Sequence, residues 1–199
     1  MISLCREIIE KHKKAVLYNQ TAFTHHIMIL KPIFRESFYM MNYLALTSIL
    51  KRPPAAYANV RGKDEYESVK ANVYFYRLME KVFVVVDAQG LPQNGGECGK
   101  NVFGFHIHSG ESCTGNETDP YADAKTHYNP YNSPHPEHSG DMPPLFGNNG
   151  SAFMGFLTDR FTIEEIIGKT VIIHSKADDF TTQPSGNSGE KIACGIIKK

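Results

Sequence analysis

Val69-Lys-Ala-Asn-Val-Tyr-Phe-Tyr76 is the stretch that decides the fold. Val69, Ala71, Val73 and Phe75 alternate with Lys70, Asn72, Tyr74 and Tyr76. Successive side chains of a strand leave opposite faces, so a period of two predicts a strand with one face against a core. Its β-branched and aromatic residues suit a pleated surface. Working outward, a turn near Met79-Glu80 leads to a second strand over residues 81–88, with further strand-like runs at 101–108, 151–158, 170–175 and 192–197 and a first one at 55–60. Many short strands joined by Gly- and Pro-bearing turns predict an all-β fold, a Greek-key sandwich or barrel. One helical turn is expected at 162–167, where Thr162 and Glu165 have the spacing of a capping box.

Two connections are long. Residues 109–150 carry little periodic structure, and loops beyond about 12–15 residues usually serve a function. Residues 176–190 are rich in Gly, Ser, Pro and Asp. The start of the chain reads differently. Residues 3–18 could form a helix with Leu4, Ile8, Ile9 and Val16 on one side, and no sustained period follows. Residues 1–50 are therefore read as an N-terminal extension, poorly ordered or the product of a start codon upstream of a true start at Met40 or Met41. Residues 51–199 are read as one domain, as suits a chain of 199 residues.

Composition sets bounds on partners. A hydrophobic fraction of 41% supplies a core, and a formal net charge of zero gives no bulk attraction to nucleic acid or an anionic membrane. The early apolar run Ile27-Met-Ile-Leu30 is stopped by Lys31-Pro32, too short for a membrane span and without a signal-peptide cleavage pattern. The expectation is a cytoplasmic protein, with export left open. Four cysteines, Cys5, Cys98, Cys113 and Cys194, include no Cys-x-x-Cys pair.

Chemistry concentrates in His106, His108, His127, His135, His138, Asp141 and His174, which include every histidine after residue 50. Gly-Phe-His106-Ile-His108 lies in a β-prone run, so both imidazoles leave the same face. His174 lies in a second such run and can supply a third nitrogen from a neighbouring strand. With His127 these make four imidazoles, a donor set suited to copper. His127, His135, His138 and Asp141 make three nitrogens and one carboxylate, a tetrahedral zinc set. His127 is common to both, and an imidazole deprotonated on both nitrogens can bridge two cations. The competing reading is a single structural zinc site with bystander histidines.

The words Gly-Phe-His106-Ile-His108, Cys113, His127-Tyr-Asn-Pro, His135, His138-Ser-Gly-Asp141, Gly168-Lys-Thr-Val-Ile-Ile-His174-Ser-Lys-Ala-Asp178 and Gly186-Asn-Ser-Gly-Glu-Lys-Ile-Ala-Cys194-Gly follow in an order that resembles the copper–zinc superoxide dismutases, bacterial type. The resemblance runs from about residue 53 to 199. It implies disproportionation of superoxide to dioxygen and hydrogen peroxide, with copper on His106, His108, His127 and His174 and zinc on His127, His135, His138 and Asp141. It further implies a Cys113–Cys194 disulfide anchoring the long loop, which sits uneasily with a reducing cytosol. His127 would be the bridge that takes and returns a proton, and Asp178 would hydrogen-bond one ligand of each metal, His106 and His135. The 176–190 loop would shape the channel to copper.

Lys191 stands where most family members carry an arginine that guides superoxide. Lysine keeps the charge without the planar donor fork, so a lower rate is expected. The spacing from His135 to His138 is also tighter than in animal relatives. Superoxide is the partner implied, to a monomer or homodimer. The rival reading is a catalytically weak dismutase-like domain for copper or zinc storage or delivery, against which stands a complete set of copper ligands.

Overall fold

The computed structural model describes residues 47–93 and 101–199. The chain divides into two units, Met1–Lys51 and Arg52–Lys199. Of the first, residues 47–51 are described, where a helix ends with Lys51 N donating to Thr47 O at 3.2 Å. The expected helix over 3–18, the start-site reading at Met40 and Met41, and Cys5 and Cys98 lie outside the described residues.

The second unit is nearly all β. Its strands are β1 (Ala56–Gly62), β2 (Lys70–Leu78), β3 (Lys81–Gln89), β4 (Val102–Phe103), β5 (Phe105–His108), β6 (Leu145–Phe146), β7 (Ala152–Thr158), β8 (Thr170–His174) and β9 (Lys191–Lys198). Seven form one curled antiparallel sheet in the order β5-β8-β9-β1-β2-β3-β7, while β4 and β6 pair separately. β4 runs on into β5 and β6 turns into β7, so this small pair links the two outer strands of the large sheet. The chain leaves β3 for β5 and β7 for β8 without joining sheet neighbours, the crossing that makes a Greek key.

The period of two decides what is buried. Ala71, Val73 and Phe75 of β2 face inward with Val82, Val84 and Val86 of β3, and Phe103, Phe105, Ile107, Leu145, Ile173 and Ile192 fill the same core. Phe75 meets Phe161 edge to face, with ring centroids 6.3 Å apart. Phe161 immediately precedes Thr162, the N-cap of the helical turn Ile163–Ile166, whose capping box has Glu165 N donating to Thr162 Oγ1 and Thr162 N donating to Glu165 Oε2 at 2.7 Å. No helix among the described residues is long and apolar enough to cross a membrane.

Two sequence expectations need correction. Residues 101–108 are two strands, because the chain bends at Gly104 and changes partner from β6 to β8. There Gly104 N donates to Lys176 O at 2.7 Å and His174 N donates to Gly104 O at 2.8 Å. A Cβ at Gly104 would lie 2.9 Å from Ser188 Cβ, so only glycine allows this approach. The long loop also ends sooner than expected, at 144, since Leu145–Phe146 pairs with Val102–Phe103. Two residues carry no readable period.

Cys113 and Cys194 form a disulfide with Cα atoms 5.6 Å apart, tying the 109–144 loop to β9 across 81 residues. Replacing both cysteines with alanine should lower the unfolding free energy of the metal-free protein by about 4 kcal/mol on the chain-entropy estimate. Urea unfolding under oxidising conditions checks this; coincident curves for both proteins would show that the cross-link contributes nothing.

Candidate metal centre

The site is built on the outer face of β5. Phe105 and Ile107 face the core, so His106 and His108 leave the other side, yet both are buried. They are buried because the 109–144 loop folds over them along the free edge of β5. Ile107 N donates to Gly140 O at 2.9 Å, Tyr128 N to Ile107 O at 2.8 Å and Ser109 N to Thr126 O at 2.8 Å. Isolated bridges set His127 opposite His108 and Asp141 opposite His106. The last ring comes from β8, where the register shifts between Ile173 and His174.

These contacts bring together all seven residues singled out from sequence. His106, His108, His127 and His174 form one group, and His127, His135, His138 and Asp141 a second; in each, one potential ligand atom per residue lies within 4.8 Å of the others. All are buried.

Hydrogen bonds fix which nitrogen is bare in five of the six rings, all but His138. A carboxylate only accepts, so the 2.7 Å contact from His106 Nε2 to Asp178 Oδ2 puts the proton on Nε2 and leaves Nδ1 a lone pair. His135 Nε2 donates likewise to Asp178 Oδ1 at 2.8 Å, leaving its Nδ1 bare. His108 Nδ1 donates to the Lys125 carbonyl at 2.8 Å and His174 Nδ1 to the Gly189 carbonyl at 3.3 Å. Their Nε2 atoms then face each other 3.2 Å apart, two lone pairs reconciled only by a cation or a proton between them. His127 Nδ1 meets Asp141 Oδ1 at 2.7 Å, and its Nε2 points the other way.

Four of these ring nitrogens, His106 Nδ1, His127 Nε2, His135 Nδ1 and His138 Nδ1, are buried without any hydrogen-bond partner. His135 Nδ1 and His138 Nδ1 lie 3.0 and 3.3 Å from Asp141 Oδ2. They aim past that oxygen rather than at it. Orphaned buried nitrogens are costly unless something binds them, and a metal ion in each group fits these donors.

The electrostatics agree with neutral, metal-binding imidazoles. Burial pushes His108 and His174 well below the ordinary histidine range, and neighbouring rings push them further. Burial likewise lowers His106 and His138, against the pull of Asp178 and Asp141 respectively. For Asp178 burial acts upward, but donors from His106, Phe180 N and His135 prevail and hold it at about 2. Asp141 is also lowered, its burial outweighed by the hydrogen bond from His127 and the charges of the three rings.

Several supports were not legible in the sequence. Gln183 clasps His135, accepting from its N–H at 2.9 Å and donating to its carbonyl at 2.7 Å. Arg160 donates to the carbonyls of Pro136 and His138 at 2.7 and 3.3 Å. Gly186, at φ +66°, leaves room for Asp178, since a Cβ there would fall 2.0 Å from Asp178 Oδ1.

Lys191 lies beside His174 across the β8–β9 pair. Its ammonium donates to Asp119 Oδ2 at 2.5 Å and to the Tyr121 carbonyl at 3.3 Å. A cleft of about 710 Å³ leads to His108, His127, His138 and His174 and includes Lys191 in its wall.

The family model for copper/zinc superoxide dismutase (SODC) matches residues 69–197. A protein named superoxide dismutase (Cu-Zn) 2 from Aquifex aeolicus is 33% identical over 132 residues, covering 59% of this chain and 72% of its own. One from Photobacterium leiognathi, named superoxide dismutase (Cu-Zn), is 35% identical over 109 residues, 48% of this chain and 63% of its own. Among solved structures, a double mutant of a SOD-like protein from Bacillus subtilis superposes with a TM-score of 0.60 at 26% identity, covering 72% of this chain and 97% of that one.

Proposed function

The chain belongs to the copper–zinc superoxide dismutase family, and on that premise we propose that it disproportionates superoxide to dioxygen and hydrogen peroxide at a histidine-bridged copper–zinc centre. The observation that carries this reading is the set of bare, buried ring nitrogens, in two groups that share His127. His106 Nδ1, His108 Nε2, His127 Nε2 and His174 Nε2 would hold copper. His135 Nδ1, His138 Nδ1 and Asp141 would hold zinc, joined by His127 Nδ1 once it releases the proton it shares with Asp141. Bound copper supplies a one-electron couple, which zinc lacks, and bound zinc supplies fixed charge that orders the loop.

The chain's own residues do the rest. Asp178 accepts from His106 and His135 together, fixing the tautomer that leaves each Nδ1 free. His127 Nε2, buried and unpartnered, can alternatively carry a proton and pass it to the reduced product. Dismutation consumes two protons for two superoxides, and a water-accessible cleft reaching His127 supplies them. Lys191, in the wall of the same cleft, is the cation paired in register with His174.

Metal analysis and dismutase assay of one purified sample test the reading. The expected result is one copper and one zinc per chain, with tetragonal nitrogen-ligated copper(II) in the oxidised protein and turnover of superoxide. Uptake of zinc alone after copper loading would leave the storage or delivery reading in its place.

A further inference from the structure

The cleft to the metal centre is poorly furnished to attract an anion. Its walls carry Asp64, Glu65, Glu117, Asp119 and Glu190 against Lys63, Lys125 and Lys191, five carboxylates to three ammoniums. Two of those ammoniums are already engaged by the 113–121 segment. Lys63 Nζ donates to the Cys113 carbonyl at 2.7 Å and stands 4.9 Å over the Tyr121 ring. Lys191 Nζ is held by Asp119 and the Tyr121 carbonyl. Lys125 is exposed and makes no ion pair among the described residues.

The Asp119–Lys191 pair is built rather than incidental. Asp119 sits in a turn where its N–H donates to Asn116 Oδ1 at 2.9 Å and its Oδ1 accepts from Tyr121 N at 3.0 Å, so its other oxygen is aimed. The lysine side chain is 15% exposed and the aspartate 38%, which leaves the contact partly shielded from solvent. An ammonium paired in this way presents little net charge to an anion farther along the cleft, because the two opposite charges nearly cancel beyond a few ångströms.

We propose that Asp119 is a positioning residue that restrains Lys191, holding its ammonium away from anions in the cleft and keeping the centre's affinity for them low. The inference rests on the reading of this cleft as the anion route to copper. Capture of an anion requires Lys191 to exchange a carboxylate partner for the ligand, and Asp119 sets the cost of that exchange. The device also favours small anions over larger polyanions, which the surrounding carboxylates repel.

Azide, an anion that ligates copper(II), is the probe, titrated into copper-loaded protein and followed by visible absorption. Asp119→Asn retains the Oδ1 acceptor for Tyr121 N and removes the charge. It should tighten azide binding roughly three- to tenfold and steepen its weakening with salt. In a Lys191→Met background the same change should give a clearly smaller gain, since Asp119 acts chiefly through Lys191. Unchanged azide affinity in Asp119→Asn, or an equal gain with Lys191 absent, would overturn the inference while leaving the copper reading intact. A wild-type protein whose copper spectrum does not respond to azide at all would overturn both.

Discussion

His127→Ala is expected to disturb both metals at once and to reduce turnover by more than about 100-fold, since even outer partners of metal ligands are worth 10–100-fold. The ring is the single member common to the two groups. Its Nδ1 faces Asp141 and its Nε2 is buried and unpartnered on the opposite side. No other side chain of the centre is set to serve two cations. Loss of the ring also removes the atom proposed to hold the proton, so activity should stay low even if copper is restored to full occupancy. His138→Ala is the control. It removes a member of the second group alone, so copper should be retained while zinc weakens. Copper and zinc measured on both variants check the contrast, and a His127→Ala protein with full, stable loading of both metals would remove the basis for a shared ligand.

The fold was readable wherever one period ran for several residues. Val73 and Phe75 announced β2, and the His106–His108 spacing placed both rings on one face before any neighbour was known. The break at Gly104 escaped because Val102-Phe-Gly-Phe-His-Ile-His108 reads as a single run, and what bends it is a backbone contact with Lys176, more than 70 residues on. β6 escaped because a two-residue strand has no pattern. The candidate ligands were legible because metal binding demands particular residue types at particular spacings. Asp119 was not. A carboxylate that faces a lysine 72 residues away carries no local signature, and its role depends wholly on how the disulfide-tied loop returns to β9.

The same contrast between strand and loop governs the response to Asp178→Ala. Asp178 joins the two groups through one carboxylate, with His106 on Oδ2 and His135 on Oδ1. Losing it deprives both rings of the acceptor that fixes their tautomer, yet the two are held very differently. His106 belongs to β5, paired in register with Ile172 of β8, and it stays in place whatever happens to the carboxylate. His135 lies in the 109–144 loop, outside any strand, and keeps its position through Gln183 and Asp178. Zinc affinity should therefore fall by about 10–100-fold, with copper affinity affected less. If zinc orders the loop as proposed, its loss should also loosen 109–144, seen as faster proteolysis or amide exchange there while β2 and β3 stay protected. Equal loss of both metals would mean that strand pairing does not hold His106 independently. Selective loss of copper would invert the argument and make the carboxylate chiefly a partner of His106.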